Sequence, residues 1–429
     1  MRKRGGYYLG ICCLLWACQM TVPDGEGSLN EKAGTRTEVL EVVEQKPKVD
    51  MDKVLANYDA FVRAKMDSLR LPGLAYAVVK DGKVVALKTY GVRRKGRSAP
   101  IDEHTAFRLA SVSKGFASVL AGLLVEKGYL YWDDPIKKHI PSFRLKTNLH
   151  TSAVTLRHTL SQSTGLTEYA GVSLIYKDWS CASLLKGLRS AAIAAAPADS
   201  FTYQNVIYSA IDIIAKEVTQ KSYSHLVDSL LLEPLGMEDA SLGYQSMANR
   251  NNKAMPHTYS SRYGWTSSGS IRNKWYNVAP AAGMNASVSD MAIWLQAMLG
   301  HRPEIISKYV LNEIFVPHIA INSDSKYYET WAPGITQGWY GLGWRIFDYN
   351  NTRVVYHGGY LRGFRPEMGF CLSEDVGIVM LTNASKNELS TMCIPEFFNL
   401  YFDLDTTPST NPTDSVNTAA PKESKFIGK

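Results

Sequence analysis

Strand patterns lie near the two ends of the sequence, and helix patterns lie between them. In the N-terminal part, "GLAYAVV" and "KVVALKTYGV" predict two strands joined by a tight turn at Asp81 and Gly82. In the C-terminal part, "YGLGWRIF", "TRVVYHGGY", "FRPEMGFCLS" and "VGIVMLTN" are short, rich in aromatic or β-branched residues and separated by turn residues. The sequence therefore predicts an α/β protein of the α+β type, with an antiparallel sheet formed by N- and C-terminal segments.

Helical spacing of apolar residues begins at Met51 and continues to about Leu69. The stretch "GFASVLAGLLVEKGYL" predicts an apolar helix continuing from Ser111, and two later helices, "SYSHLVDSLLLEPLGM" and "SVSDMAIWLQAMLG", have stops at Pro234 and Gly300. We expect helices to flank the sheet and the middle of the chain to form an inserted, mostly helical subdomain.

Residues 1–18 have a basic start followed by a short apolar stretch, which is typical of a signal peptide. "LWAC" is similar to a bacterial lipobox and predicts lipidation at Cys18, with plain cleavage and secretion as the alternative. Residues 19–50 are polar and predict a tether, and 406–429 predict a disordered tail. We expect export to the bacterial cell envelope as a lipoprotein facing the periplasm, with membrane contact only through this N-terminal anchor.

Charge and motif content exclude several classes of function. The net charge is +7, but three positive charges lie in "MRKR", and "RRKGR" lacks interleaved aromatic residues, so we expect no nucleic-acid partner. Metal-binding histidine spacing, H-E-x-x-H, G-x-S-x-G and a P-loop are missing from the sequence, so no cofactor or metal is expected. Beyond the signal, the three cysteines Cys181, Cys371 and Cys393 predict no disulfide framework. A single disulfide bond between two of them is the alternative. A monomer is expected.

The stretch "RLASVSKGFASVL" places Ser111 one helical turn before Lys114. A hydroxyl becomes a good nucleophile when a base accepts its proton, and keeping a lysine neutral at pH 7 costs about 4.6 kcal/mol. Burial or a nearby cation supplies such a shift; alternatively, Lys114 stays charged and lowers the pKa of another base. The same spacing occurs twice more, so the pattern needs further support; these copies are Ser183/Lys186 and Ser323/Lys326.

Tyr203 and Asn205 lie at the mouth of a second apolar helix pattern, "FTYQNVIYSAIDIIAKEV". We expect nearby lysines to favour the phenolate of Tyr203, and the Asn205 amide supplies both a donor and an acceptor for a substrate amide. The same Y-x-N spacing at Tyr349 and Asn351 predicts a turn.

The stretch "YHGGY" places two glycines directly after His357. Gly358 and Gly359 permit close approach of a ligand to the backbone. A backbone N–H here and the N–H of Ser111 would form an oxyanion hole, in which each donor contributes about 2.7–4 kcal/mol in the transition state. His357 is expected to shift charge or donate a proton nearby.

The residues Ser111-Val112-Ser113-Lys114, Tyr203-Gln204-Asn205 and His357-Gly358-Gly359 occur in this order, and the sequence thereby resembles the penicillin-recognising serine hydrolases. The resemblance is to the class C β-lactamase-like branch, with its D-aminopeptidases and related esterases, and covers residues 54–402. It implies a β-lactamase/transpeptidase-like fold for a domain spanning 51–405. It also implies an acyl-enzyme at Ser111, proton transfer shared by Lys114 and Tyr203, substrate binding by Asn205, and an oxyanion donor at the backbone of Tyr360.

One departure from the family pattern concerns His357, because true β-lactamases of this branch usually carry lysine there. Histidine is only partly charged at neutral pH, so its grip on a substrate carboxylate should be weaker. The sequence therefore predicts an exported serine hydrolase that acts on an ester, a D-amino-acid amide or peptide, or a β-lactam. The alternative is a slowly acylating β-lactam-binding or sensing protein without turnover, and a scaffold without chemistry is disfavoured.

Overall fold

The structure is a computed structural model that describes residues 49–322, 324–332 and 334–404. The predicted signal peptide with Cys18, residues 19–48 of the predicted tether and the predicted tail at 406–429 lie outside the described residues. None of the helices in the described ranges combines the length and the apolar character needed to span a bilayer.

The strands of the described residues form antiparallel sheets. In chain order they are β1 (Gly73–Lys80), β2 (Lys83–Gly91), β3 (Phe107–Arg108), β4 (Ser241–Leu242), β5 (His257–Ser260), β6 (Gly264–Ser267), β7 (Met284–Ala286), β8 (Ile319–Ala320), β9 (Ile335–Tyr340), β10 (Arg345–Tyr349), β11 (Thr352–Gly358), β12 (Arg365–Cys371) and β13 (Val376–Thr382). The main sheet has the order β2-β1-β13-β12-β11-β10-β9-β8, and two small sheets have the orders β3-β7-β4 and β5-β6. The prediction of a sheet built from both ends of the chain is confirmed, because β1 pairs with β13.

The helices of the described residues flank this sheet, and most of them lie in the chain between β2 and β8. They are α1 (Met51–Leu69), α2 (Ser113–Glu126), α3 (Ile136–His139), α4 (Asn148–Ala153), α5 (Leu156–Leu160), α6 (Val172–Ile175), α7 (Cys181–Gly187), α8 (Ala210–Thr219), α9 (Tyr223–Val227), α10 (Glu233–Leu235), α11 (Tyr244–Asn249), α12 (Ala279–Ala282), α13 (Val288–Met298), α14 (Lys308–Ile314), α15 (Lys326–Thr330) and α16 (Glu388–Tyr401). Short 3-10 turns and one π-helical turn join several of them.

Strand β1 shows how the sheet separates two hydrophobic cores. Its side chains alternate between the faces, as the two-residue period of a strand requires. Tyr76 and Val78 pack into the core that contains α1 and α16, whereas Ala77 and Val79 pack into the core that contains α2 and α13. Both faces are therefore covered by helices, and β1 is buried along almost its whole length.

The N-terminal hairpin has the turn that the sequence predicts. Asp81 and Gly82 have φ values of 50° and 71°, which is the left-handed pair that a tight two-residue hairpin turn needs. The predicted first helix is also confirmed, since α1 spans the expected residues.

The reading of "YGLGWRIF" as one strand is wrong. Strand β9 ends at Tyr340 and β10 begins at Arg345, so the glycine-containing segment between them is a turn. Gly343 has φ +82°, and a methyl group on it would lie 2.8 Å from the carbonyl oxygen of Lys114. The turn therefore packs closely against α2, and it places Arg345 beside the residues described next.

Candidate active site

Ser111 lies in a short 3-10 turn, Ala110–Val112, just before α2 begins, rather than inside the helix. Ala110 has φ 46°, a left-handed conformation that is strained for a residue with a side chain. The turn is held at its C-terminal side by Ser113, whose hydroxyl oxygen accepts a hydrogen bond of 3.0 Å from the backbone N–H of Met284 in β7. Strain retained at this point marks a backbone geometry that the surrounding structure imposes.

The amine of Lys114 is fully buried and has three polar neighbours. It donates to Oδ1 of Asn205 at 2.8 Å and to the carbonyl oxygen of Ala281 at 3.2 Å, and it lies 3.5 Å from Oγ of Ser111. The first two neighbours accept only, so they take two N–H groups of the amine. In a neutral amine the remaining tetrahedral position is the lone pair, and it faces the Ser111 hydroxyl.

Electrostatics favour this neutral form of Lys114. Burial lowers the pKa of its amine well below the ordinary value, and the positive charge of Arg345 lowers it further. No described carboxylate forms an ion pair with this lysine to offset either effect. Lys114 therefore has both influences, burial and a nearby cation, that the sequence analysis required for a lysine acting as a base.

Tyr203 lies beside this amine, with its ring centroid 4.6 Å from Nζ of Lys114. Burial has the largest effect on its phenol and raises the pKa, and Tyr340 raises it further. Arg345 and the hydrogen bond with Ser111 lower the pKa, but by less, so it stays well above its usual value. The resting site thus holds a neutral phenol, in contrast to the phenolate expected from nearby lysines. The reason is that burial disfavours the anion more than the neighbouring cation favours it.

The loop that carries Tyr203 and Asn205 is anchored by Gln162. The backbone N–H of Gln204 donates to Oε1 of Gln162 at 2.7 Å, and Nε2 of Gln162 donates to the carbonyl oxygen of Gln204 at 3.1 Å. Among the described residues, none accepts a hydrogen bond from Nδ2 of Asn205, so this donor is available to a ligand. Sequence reasoning missed Gln162, although it lies in the "LSQST" stretch.

At each glycine of the "HGG" sequence, a different neighbour leaves no room for a side chain. Gly358 lies opposite Glu367 of β12, and a methyl group on Gly358 would collide with the carboxylate of Glu367 and the hydroxyl of Tyr356. A methyl group on Gly359 would lie 2.6 Å from the carbonyl oxygen of Leu109.

The close contact of Gly359 brings the end of β11 against the turn that carries Ser111. Tyr360 follows directly, and its backbone N–H donates to no oxygen in the described part of the chain. This N–H is thus free beside the nucleophile turn, which is what an oxyanion donor needs. The assignment of Tyr360 to the oxyanion hole stays a prediction.

His357 is fully buried, and both of its ring nitrogens have neighbours. Nδ1 lies 2.9 Å from the carbonyl oxygen of Gly358, so Nδ1 carries the proton; Nε2 accepts from the Tyr340 hydroxyl at 3.1 Å and lies 3.4 Å from an N–H group of Arg345. Burial and the positive charge of Arg345 lower the pKa of this imidazole well below its usual value, so His357 is neutral. Its role as a substrate ligand stays a prediction, and its contacts show that it also helps to hold Arg345.

Arg345 is the cation at this site that the sequence analysis did not single out, although "YGLGWRI" contains it. It is only 6% exposed and forms no ion pair with a described carboxylate, and its Nε has no hydrogen-bond partner. Its guanidinium lies over the rings of Tyr327 at 4.5 Å, Tyr203 at 5.4 Å and Tyr340 at 5.6 Å. Burial opposes its charge, but the surrounding tyrosines raise the pKa of the guanidinium, so Arg345 stays charged.

The duplicate patterns that the structure describes in full do not assemble a comparable site. Ser183 and Lys186 are both exposed on α7, and Ser323 lies outside the described residues. Asn350 and Asn351 have φ values of 47° and 59° in the β10–β11 turn, which confirms the turn predicted there. The three cysteines of the described chain, Cys181, Cys371 and Cys393, are free.

Comparisons with known proteins agree with this architecture. The family model described as Beta-lactamase matches residues 58–392. Protein flp of Staphylococcus aureus (strain MRSA252) is 25% identical over 332 residues, covering 76% of this chain and 62% of the relative. Unguisins hydrolase ungD' of Aspergillus campestris is 24% identical over 348 residues, covering 78% and 62%. The matched region thus spans 62% of the length of these curated relatives.

Two solved structures are similar to the fold. The octameric penicillin-binding protein homologue from Pyrococcus abyssi has a TM-score of 0.71 at 22% identity, covering 81% of this chain and 77% of that chain. The penicillin binding protein from Bacillus halodurans has a TM-score of 0.62 at 18% identity, covering 77% and 98%. These structures support the predicted β-lactamase-like fold, and the family model matches well over half of the sequence. The chain therefore belongs to the beta-lactamase family.

Proposed function

We propose that this protein is a serine hydrolase that forms an acyl-enzyme at Ser111. The observation that carries the proposal is the geometry of Lys114, whose amine is buried, uses two N–H groups on Asn205 and Ala281, and turns its remaining position to the Ser111 hydroxyl. A neutral amine in this position is a base for the serine proton.

The chemistry follows from the protonation states. Lys114 accepts the proton of Ser111 as Oγ bonds to the carbonyl carbon of the substrate, and the N–H groups of Ser111 and Tyr360 stabilise the resulting oxyanion. The neutral phenol of Tyr203 donates its proton to the leaving group as the scissile bond breaks, and protonated Lys114 returns a proton to Tyr203. Water then hydrolyses the ester at Ser111 and releases the acid product.

The substrate class is an ester, a D-amino-acid amide or peptide, or a β-lactam. The neutral state of His357 favours the first two, because a neutral imidazole attracts a β-lactam carboxylate less than the usual lysine does. A relative named as an unguisins hydrolase also favours turnover over the slowly acylating alternative.

The test is covalent labelling with a fluorophosphonate probe, together with the burst of nitrophenol from 4-nitrophenyl acetate. We expect Ser111→Ala to lose both signals, because no other hydroxyl replaces Oγ. Ser183→Ala is the matched control, since it removes the exposed serine of the duplicate S-x-x-K pattern, and it should retain both. Labelling of Ser111→Ala at the wild-type level would refute the proposal, and a burst without steady-state turnover would favour the slowly acylating alternative.

We also propose export and lipidation at Cys18, supported by the basic start, the apolar stretch and the "LWAC" sequence. Cells that express the full chain with a labelled fatty acid should acylate the wild type, whereas Cys18→Ser should lose the label. Cys181→Ser is the control and should keep it. A wild-type chain without acyl label would contradict the anchor.

A further inference from the structure

A cleft of about 860 Å³ opens beside the nucleophile turn, and its charge is of one sign. Among the described residues that line it, four are cationic, namely Arg108, Arg272, Lys274 and Arg362, and none is an aspartate or glutamate. Since single-sign clefts attract ligands of the opposite charge, this lining favours an anionic ligand.

The cleft borders the proposed reaction centre. Arg108 precedes Ser111 by three residues, and Tyr360 lines the cleft directly after Gly359. Because Gly359 packs against the backbone just before Ser111, a group bound in the cleft lies on the Tyr360 side of the nucleophile.

The cations of the cleft are largely uncompensated. Arg108 is only 4% exposed, forms no ion pair with a described residue, and leaves its Nε without a partner. Its hydrogen bonds go to the backbone oxygens of Arg272 and Ala282, both at 3.3 Å, and its guanidinium stacks 3.8 Å from the ring centroid of Tyr276. These contacts hold the side chain in place without neutralising it.

The remaining cations also keep most of their charge available. Arg272 and Arg362 are exposed and form no ion pair with a described residue. Lys274 lies 3.9 Å from an exposed carboxylate oxygen of Asp178, and such surface pairs are weak.

Aromatic side chains supply the apolar part of the cleft. Tyr176 and Trp275 meet edge to face with ring centroids 6.2 Å apart, and the side chain of Tyr360 is 54% exposed. A ligand with a carboxylate and an apolar chain or ring therefore matches this surface better than a sugar or a cation.

We propose that the cleft binds a carboxylate-bearing, apolar portion of the substrate, so that the enzyme prefers anionic esters or peptides over neutral ones. This inference rests on the hydrolase function proposed above. It assigns the cationic side chains of the cleft a role in substrate selection beyond the reaction centre itself.

The kinetic test compares 4-nitrophenyl hemiglutarate with 4-nitrophenyl valerate, which have five-carbon acyl chains that differ in the terminal carboxylate. For a charge on the leaving group, 3-carboxy-4-nitrophenyl acetate is compared with 4-nitrophenyl acetate. We expect the anionic member of at least one pair to have the higher kcat/KM, by about tenfold at low salt and less at high salt. Arg272→Gln and Arg362→Gln should each lower that preference about 2- to 5-fold.

The control variant is Arg262→Gln, which removes an exposed arginine outside the cleft and should leave the preference unchanged. Normal turnover of the neutral esters without an anionic preference in either pair would overturn the inference while leaving the hydrolase function intact.

A binding measurement tests the cleft independently of the hydrolase function. The Ser111→Ala protein is titrated with dansyl-glutamate and with dansyl-glutamine, which differ by one carboxylate. We expect about tenfold tighter binding of dansyl-glutamate, reduced by Arg272→Gln and by added salt. This result, combined with no hydrolysis of any ester, would support the anionic cleft and reject the hydrolase, whereas equal binding of the two probes would reject the cleft.

Discussion

Two arginines on the main sheet, one on either side of β11, are in opposite electrostatic surroundings. Arg365 in β12 has its Nε 2.5 Å from Oε1 of Glu367, and the other carboxylate oxygen, Oε2, accepts a hydrogen bond of 2.6 Å from the Tyr356 hydroxyl. Arg345 in β10 has no described carboxylate as an ion-pair partner and instead lies among tyrosine rings and the neutral His357. Of these two arginines, Arg365 is thus compensated by a carboxylate and Arg345 is not.

The difference separates a structural charge from one that acts on the reaction. A buried charge without a partner lowers the stability of the folded protein, and removing one member of a buried ion pair is strongly destabilising because it leaves such a charge behind. Arg365 and Glu367 compensate each other's charge, although Nε of Arg365 and Oε1 of Glu367 form no hydrogen bond, so we infer that they mainly maintain the fold. Burial lowers the pKa values of Lys114 and His357, and the uncompensated Arg345 lowers them further.

The largest expected effect is the loss of stability in Arg365→Met. This change leaves the buried Glu367 without its cation, and we expect the free energy of unfolding to fall by about 3–5 kcal/mol, measured by urea denaturation. The double variant Arg365→Met/Glu367→Gln should recover most of the loss, because the unpaired charge is gone. A single variant within about 1 kcal/mol of the wild type would contradict a structural role for the pair.

Arg345→Met should have the opposite effects. We expect it to keep or raise the free energy of unfolding and to slow the reaction. We expect kcat/KM for 4-nitrophenyl acetate at pH 7 to fall about 10- to 100-fold, since less of Lys114 is then neutral. Arg345→Lys should restore much of the rate, which a purely steric role would not predict.

The control for Arg345→Met is Arg353→Met, a strand arginine that is 60% exposed and pairs with Asp348 at the surface. It should keep both rate and stability. An Arg345→Met protein that loses stability like Arg365→Met while keeping its rate would remove the distinction between the two arginines.

The elements of the fold that depend on residues close together in the sequence could be predicted from it. The two-residue alternation and the Asp81–Gly82 turn predict the first hairpin, and helical spacing predicts α1, because each depends on neighbouring residues. The break at Gly343 could not be predicted in this way. It arises from a close approach to the backbone of Lys114, more than two hundred residues away in the sequence.

For the site, the sequence indicated Ser111, Lys114, Tyr203 and Asn205, and the structure brings these residues together. Their protonation states could not be read from the sequence, because they depend on burial and on a distant cation. Arg345 appeared only as part of an aromatic strand pattern, and nothing in its neighbours along the chain reveals that it reaches Lys114.

The smallest expected effect is a displacement of the pH–rate profile when the uncompensated cation is removed. Lys114 must be neutral to accept the serine proton, so the acidic limb follows the pKa of Lys114; Tyr203 must be protonated to act as an acid, so the alkaline limb follows its pKa. The positive charge of Arg345 lowers both pKa values.

We therefore expect Arg345→Met to move both limbs of kcat/KM for 4-nitrophenyl acetate to higher pH, so that its rate deficit shrinks as the pH rises from 7. Arg345→Lys should keep the limbs near their wild-type positions, because it preserves the charge. A uniform loss of rate at every pH would assign Arg345 a packing role instead. A shift of the acidic limb to lower pH would contradict Lys114 as the base, because a lysine without a neighbouring cation holds its proton more tightly.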